Sequence, residues 1–415
     1  MATAELASWV QEPDPGRFPY DAVVRAYQRV GKHFVSKELL EQLTAVRDRL
    51  PAMRGPWPEV RALASFLDTA LDKPDGRYDY PTYLALPMLE LPGLDEPVAT
   101  APFARSRCDR LSVQLIADAL DFELTALDGL SMRLSEQRPS EDLVVKRCKH
   151  ALRAVMPALA RMSLARGVTC DDTVDQARQT RSLVRADMAL AERRAIDLSI
   201  LPVYVSHDEY MFLRVLQTFE TTFVLLTMHL RAAIDALAGR RTDEAVHFVN
   251  GAEESLRESA PLFSMLATMQ IASFRTFREY TEGASAIQSR GYKLVEALCR
   301  TPDAERADSP AFTSVPEIRE RLVGGQANLD DAYREARDSG DLDEAERARV
   351  GNAMQAFASA LHRWRGTHYR LAVRMLGEAT GTGYTEGTPY LAAVRDIPVF
   401  QHVGQTEDEA KVRSR

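Results

Sequence analysis

A chain of 415 residues, 45% hydrophobic and 27% charged, has room for one large domain or two to three average ones and can bury a sizeable core. A net charge of −8 argues against a nucleic-acid or anionic-membrane partner, which would favour a basic face. No basic stretch leading into an apolar segment opens the chain, and no uninterrupted apolar run approaches the roughly 20 residues of a membrane span.

Taken in order, residues 1–19 are rich in Pro, Gly and charge and read as a tail or an arm. Residues 20–50 carry Val23, Tyr27, Val30, Phe34, Leu39 and Leu43 at helical spacing, up to the break at Pro51–Pro58. A short helix follows over Val60–Leu71, then the turn cluster KPDGRYDYP and the segment YPTYLALPML. Residues 90–104 hold three prolines and read as a loop. Residues 105–200 are helical by pattern: one helix marked by Leu111 to Leu130, a second over Leu143–Ala165 and a third over Val174–Leu198. Ser206–Leu237 is the most regular amphipathic stretch, with Phe212, Val215, Phe219, Phe223, Leu226 and Leu230 on one face. Ser206 and Glu209 have capping-box spacing at its start.

Further helices are expected over Arg241–Met265 and Thr268–Arg300, the latter as two helices joined by a tight turn at Gly283. A polar loop over 301–315 follows, and a last long helix starts near Leu342. Beyond it lie the loop Gly381–Gly387 and a charged tail from residue 405 that reads as disordered. No strand alternation or internal repeat is visible, so the fold class is all-α, a bundle of long helices. The cysteines Cys108, Cys148, Cys170 and Cys299 form no CxxC or CxxCH pair and read as buried small apolar residues of a cytoplasmic protein.

Four features could carry chemistry. His368 falls on the apolar seam of the last helix, beside Trp364 and Leu371; it is either a core histidine or an axial ligand to haem or a metal. His207, at the first turn of the amphipathic helix, is either a surface residue or an imidazole at a pocket rim. Arg278 lies among Phe274, Phe277 and Tyr280; it is either a snorkelling arginine or a bidentate receptor for a carboxylate. The GTGYTEG loop offers backbone N–H groups but lacks the lysine of a P-loop. No Ser-His-Asp set, HExxH motif or carboxylate pair stands out.

Together these stretches resemble the tryptophan 2,3-dioxygenase superfamily of haem enzymes. YPTYLALPML is similar to its Tyr-x-x-Tyr-Leu-x-Leu-x-x-Leu segment, and SHDEYMFLRVLQTFE to its His-Asp-Glu helix, with Gln217 and Glu220 at matching spacing. FREYTEGASAIQS resembles its Phe-Arg-(Asp/Glu)-Tyr block, and WRGTHYRLAVRMLG followed by GTG its haem-ligand helix and loop. The resemblance covers roughly residues 78–90 and 200–400. It implies haem b, with His368 as ligand to the haem iron and Trp364 beside the cofactor. It implies His207 as the catalytic distal histidine, Arg278 as the clamp on the substrate carboxylate, and Thr382 at the substrate amino or carboxylate group. Ser285 would line the distal pocket, Phe274 would pack on the substrate, and Tyr80 and Tyr83 would reach a neighbouring subunit's pocket. The implied reaction inserts O2 across the indole C2–C3 bond of tryptophan or a related aromatic amino acid, in a homodimer or homotetramer.

Several positions depart from the family. Its GTGGSSG is here GTGYTEG, placing Tyr384 and Glu386 beside the amino-acid end of the substrate; its Gly after the pocket serine is Ala286; and about 100 residues are inserted before His207. The domain reading is an N-terminal helical extension over 1–77, a haem-binding domain over 78–404 with divergent or inserted helices at 91–200, and a tail over 405–415. The alternatives are a haem monooxygenase of an aromatic amino-acid derivative, using O2 or peroxide, and a non-catalytic haem sensor or scaffold.

Overall fold

A computed structural model of the chain describes residues 2–53, 57–131, 133–377 and 387–403. The fold is all-α. In chain order the helices are α1 (Ala2–Trp9), α2 (Tyr20–Val30), α3 (Lys37–Arg49), α4 (Trp57–Ala70), α5 (Tyr80–Tyr83), α6 (Ala101–Leu127), α7 (Glu141–Arg161), α8 (Thr173–Asp187), α9 (Leu190–Leu198) and α10 (His207–Ala238). They continue with α11 (Thr242–Glu258), α12 (Ala260–Leu266), α13 (Ile271–Arg278), α14 (Arg290–Cys299), α15 (Ala304–Ala307), α16 (Pro310–Thr313), α17 (Pro316–Val323), α18 (Leu329–Asp338), α19 (Glu344–Leu376) and α20 (Thr388–Arg395). Among the described residues there is no strand, only an isolated parallel bridge between Glu136 and Ser206.

The chain forms two compact units, each built from three segments. One holds Met1–Leu91, Arg110–Thr218 and Ser264–Ala286; the other holds Pro92–Asp109, Phe219–Phe263 and Ile287–Arg415. Helices α6 and α10 contribute residues to both.

The core of the first unit begins at the N-terminus. Residues 1–19 are not a free tail: α1 buries Leu6 and Trp9, and Trp9 meets Phe18 edge to face at 5.2 Å. Its indole N–H donates to the Asp14 carbonyl at 2.8 Å, so even the polar edge of the ring is satisfied. The apolar spacing of 20–50 was compatible with one helix, but Gly31 divides it at a φ of 81°. A Cβ there would lie 2.5 Å from the Val203 carbonyl oxygen and 2.7 Å from the Tyr204 Cα. Only a glycine permits both the left-handed conformation and this close backbone approach. Lys32 follows, its N–H donating to the Pro202 carbonyl at 2.9 Å and its buried ammonium paired with Asp72 at 2.8 Å.

Other boundaries move for local reasons. The helix expected over Val174–Leu198 is interrupted at Met188, where the backbone is extended; the Glu192 carboxylate then caps the Ala189 N–H at 2.7 Å and starts α9. The expected loop over 90–104 ends earlier, since α6 starts at Ala101. The expected loop over 301–315 contains the short helices α15 and α16. The turn at Gly283 is longer than a tight turn, running from Arg278 to a 3₁₀ turn at Ala286–Gln288 before Ser289 caps α14 through the Tyr292 N–H at 3.1 Å.

By length and composition α10 could cross a membrane, but 72% of its most apolar stretch is buried inside the structure. Cys108, Cys148 and Cys299 are buried and unpaired, as expected of small apolar side chains, while Cys170 is half-buried.

Gly31 supplies the test of this fold. Gly31→Ala combines left-handed strain with overlap against backbone that cannot move aside cheaply, and is expected to cost about 2–4 kcal/mol in denaturant unfolding. A change within about 0.5 kcal/mol would mean that the close approach to Val203 is not maintained.

Candidate active site

The start of α10 is closed by partners from distant parts of the chain. Ser206 and Glu209 do not form the capping box their spacing suggests. Glu209 instead reaches back past Ser206 and accepts from the Val203 and Tyr204 N–H groups at 2.7 and 3.0 Å, holding the approach to the helix. The Ser206 hydroxyl pairs with that of Ser273 and reaches Gln137 at 3.2 Å. The His207 N–H, one of the helix's unsatisfied first-turn donors, goes to the Glu136 carbonyl at 2.9 Å.

The His207 side chain is fully buried, not at an exposed surface. Its Nε2 lies 3.3 Å from Glu123 Oε2, and its ring lies 4.6 Å from Phe122. Phe122 also stacks flat on Tyr210 at 4.0 Å. Arg147 joins the group: it donates to Glu123 Oε1 at 2.8 Å, to Asp208 Oδ1 at 2.6 Å and to Thr268 Oγ1 at 3.2 Å. The second Asp208 oxygen accepts from the Gln270 N–H at 2.7 Å. Burial pushes the Glu123 carboxyl up, but Arg147 and then His207 more than offset this and hold it below the usual carboxylate range. Burial likewise disfavours the Arg147 cation, and the two carboxylates restore it. Both shifts describe the same ionised pair. His207 Nδ1 has no hydrogen-bond partner among the described atoms.

Farther along the same unit, Phe212 meets Phe274 at 6.1 Å and Phe277 at 5.3 Å. Arg278 is half-buried beside them, and desolvation lowers its pKa. Ser285 is nearly buried at 9% exposure. Tyr80 and Tyr83, expected at a neighbouring subunit's pocket, are 4% and 3% exposed and belong to a core cluster of their own chain with Phe122, Leu134 and Leu213. Burial on that scale leaves almost no ring surface for another subunit.

The second unit holds Trp364 and His368 on α19. This helix starts with a complete capping box: Asp343 accepts from the Glu346 N–H at 2.8 Å, and Glu346 accepts from the Asp343 N–H at 3.0 Å. Its seam residues Val350, Met354, Phe357 and Leu361 are buried, whereas Trp364, His368 and Leu371 are only half-buried. Trp364 is ringed by Phe263 at 5.2 Å, Phe223 at 5.4 Å, Tyr292 at 5.5 Å and Phe219 at 5.6 Å. His368 lies 5.4 Å from Trp364 and 6.3 Å from Phe263. Desolvation by burial lowers the His368 pKa to about 4, and the residue as a whole is half-buried. The neutral imidazole is the form that binds a metal. Trp364 Nε1 has no hydrogen-bond partner among the described atoms. Arg365 turns away and donates to the Tyr292 hydroxyl at 3.0 Å and the Ile397 carbonyl at 2.8 Å.

Thr382 and Glu386 lie outside the described residues, as do Tyr384 and the 405–415 tail. Among the described residues no group of three or more His, Cys, Asp or Glu could hold a metal ion, so a metal at His368 would need most of its ligands from elsewhere, as haem iron does. A neutral imidazole on a half-buried residue, set against aromatic rings, fits such a group.

Glu123, Arg147 and Phe122 were not among the residues singled out from sequence. Their signal was present: Arg147 sits on the buried stripe of α7 with Val144, Cys148 and Ala151, where an unpaired charge would be costly.

The second unit thus sets a neutral imidazole against aromatic rings within an all-α fold. No protein-family model matches the chain. Among curated proteins it is similar to tryptophan 2,3-dioxygenase of Polaromonas sp., 24% identical over 240 residues, covering 49% of this chain and 80% of that relative. It is also similar to tryptophan 2,3-dioxygenase of Burkholderia ambifaria, 25% over 237 residues with 48% and 75% covered, and of Bordetella pertussis, 25% over 235 residues with 49% and 83% covered. These similarities, at about 25% identity over about half of this chain, support a divergent relative of the tryptophan 2,3-dioxygenases.

Two measurements test the buried charges. Arg147→Ala leaves Glu123 and Asp208 without their cation and is expected to destabilise by about 3–5 kcal/mol, against about 0.5 or less for the exposed neighbour Lys146→Ala. Equal effects would show that the network is not closed. Burial pushes the Glu209 carboxyl up to about 8, above its usual 4.5, despite the two N–H donors. A raised folded pKa contributes stability that is full below the unfolded value and lost as pH rises through the folded one. Wild type is therefore expected to lose on the order of a few kcal/mol more than Glu209→Gln between pH 5 and 8. Parallel pH profiles would mean that Glu209 is hydrated.

Proposed function

We propose that the protein is a haem-dependent oxygenase acting on tryptophan or a related aromatic amino acid, of the kind that inserts O2 across the indole C2–C3 bond. The observation that carries this reading is His368. It stands in the Trp-Arg-x-x-His arrangement, is neutral near pH 7 through burial, and lies against the rings of Trp364 and Phe263. Similarity to proteins named tryptophan 2,3-dioxygenase supports the reaction type.

In this reading His368 holds the haem iron and Trp364, with its aromatic ring of neighbours, walls the cofactor. Haem b, when bound, supplies the iron centre at which O2 becomes reactive toward an aromatic ring. The rest is positioning by the chain's own residues. The Arg278 guanidinium, deprived of part of its hydration, gains by accepting a carboxylate in its planar fork. Phe274 offers an edge-to-face partner for an aromatic ring, Ser285 a hydroxyl, and His207 an imidazole whose orientation is held by buried charge. Thr382 and Glu386 are assigned to the amino-acid end of the substrate by resemblance alone. The reading extends to a homodimer or homotetramer. Ala286, where the family has glycine, favours one second reading: a crowded pocket that monooxygenates an aromatic amino-acid derivative.

The test is spectral and then chemical. The purified protein is expected to show a Soret band, lost by at least tenfold in haem content in His368→Ala. Titration with tryptophan, tyrosine and their methylated or hydroxylated analogues should perturb that band. A product mass of +32 supports dioxygenation and +16 the monooxygenase. A protein that binds no haem when supplied with it would overturn both in favour of a scaffold.

A further inference from the structure

The segment 91–200 has no counterpart in the motif resemblance, yet it surrounds the first turn of α10. Phe122 and Glu123 come from α6, Arg147 from α7 and the Glu136 carbonyl from between them. We propose that Glu123, held by Arg147, is a positioning residue that locks His207 as the tautomer with its proton on Nε2, leaving Nδ1 as a hydrogen-bond acceptor. This rests on the reading of His207 as a site residue, and it assigns the inserted helices a role in that site.

The argument is one of donors and acceptors. Among the described residues each Glu123 oxygen has one partner: Oε1 accepts from Arg147 at 2.8 Å and Oε2 faces His207 Nε2 at 3.3 Å. An ionised carboxylate only accepts, and Arg147 keeps this one ionised. Nε2 must therefore be the donor, and in the proposed tautomer the lone pair is at Nδ1. That atom is buried and has no partner among the described atoms, so in this tautomer its lone pair is left for an N–H or O–H donor to meet. A flip of the ring would put Cε1 where Nε2 now faces the carboxylate and lose this hydrogen bond. The groups facing it are Glu123, Phe122 and, through Glu123, Arg147 and Asp208.

The same logic predicts the effect of Glu123→Gln. A glutamine amide has one acceptor and one donor end. Arg147 can only donate, so it claims the amide oxygen. The NH2 group then faces Nε2, which must become an acceptor, and the proton moves to Nδ1. Full-length protein labelled with 15N-histidine reads this directly, since the chain has 8 histidines and His207→Gln identifies the resonance by its loss. Protein that shows a Soret band is measured in the diamagnetic ferrous carbonyl state, and protein without one as purified. The expected result is a proton on Nε2 alone in wild type, and a ratio shifted toward the Nδ1 proton by about tenfold or more in Glu123→Gln. Glu123→Asp, which can only accept, should retain the wild-type tautomer. A wild-type ring protonated at Nδ1 or at both nitrogens overturns the proposal, as does an unchanged ratio in a folded Glu123→Gln. If that variant does not fold, the wild-type tautomer alone decides. Absence of haem would remove the oxygenase reading while leaving the tautomer measurable.

Discussion

Arg147 lies between the carboxylates of Glu123 and Asp208, and none of the three side chains touches solvent appreciably. Much of the first unit's site geometry depends on that contact. Burying one cation against two anions is not in itself strongly stabilising, because desolvation consumes most of the Coulombic gain. Its effect is directional. Removing Arg147 strands two buried anions, so α6, α7 and the start of α10 are held in the arrangement that satisfies both. His207 inherits its position from this arrangement.

The second unit organises its site by different physics. Along α19 the apolar seam is closed from Val350 to Leu361 and then opens at Trp364 and His368. Four aromatic side chains converge on Trp364, and burial alone keeps His368 neutral. One imidazole is thus held by charge and hydrogen bonds, the other by shape and desolvation. These settings suit different tasks: oriented hydrogen bonding in one case and metal ligation in the other.

Much of the helical scaffold was legible from the residues. The 3.6-residue period located α10 and α19 to within a few positions, and Pro and Gly clusters marked most of the breaks. Errors came where local rules had competitors. Ser206 and Glu209 have the spacing of a capping box, but Glu209 found the Val203 and Tyr204 amides, while the real box formed at Asp343 and Glu346. The Pro- and Gly-rich start resembled a tail because composition does not show that Trp9 packs on Phe18, and Phe18 in turn on Tyr20 and Phe66. Gly31 looked like an interior helix residue because nothing nearby in sequence reveals the backbone of Val203.

By itself the sequence determined the all-α class, the order of the helices and the motifs that ally the chain with tryptophan 2,3-dioxygenases. Those signals are periodic or local, and a few residues carry each one. The tertiary structure alone decided which groups surround His207 and Asp208. Glu123 is 84 residues from His207 and Arg147 is 61 from Asp208. A charge on an apolar stripe announces only that it needs a partner. Which partner it finds depends on how the helices close around it, since in a dry interior each donor must meet an acceptor and few arrangements satisfy them all at once.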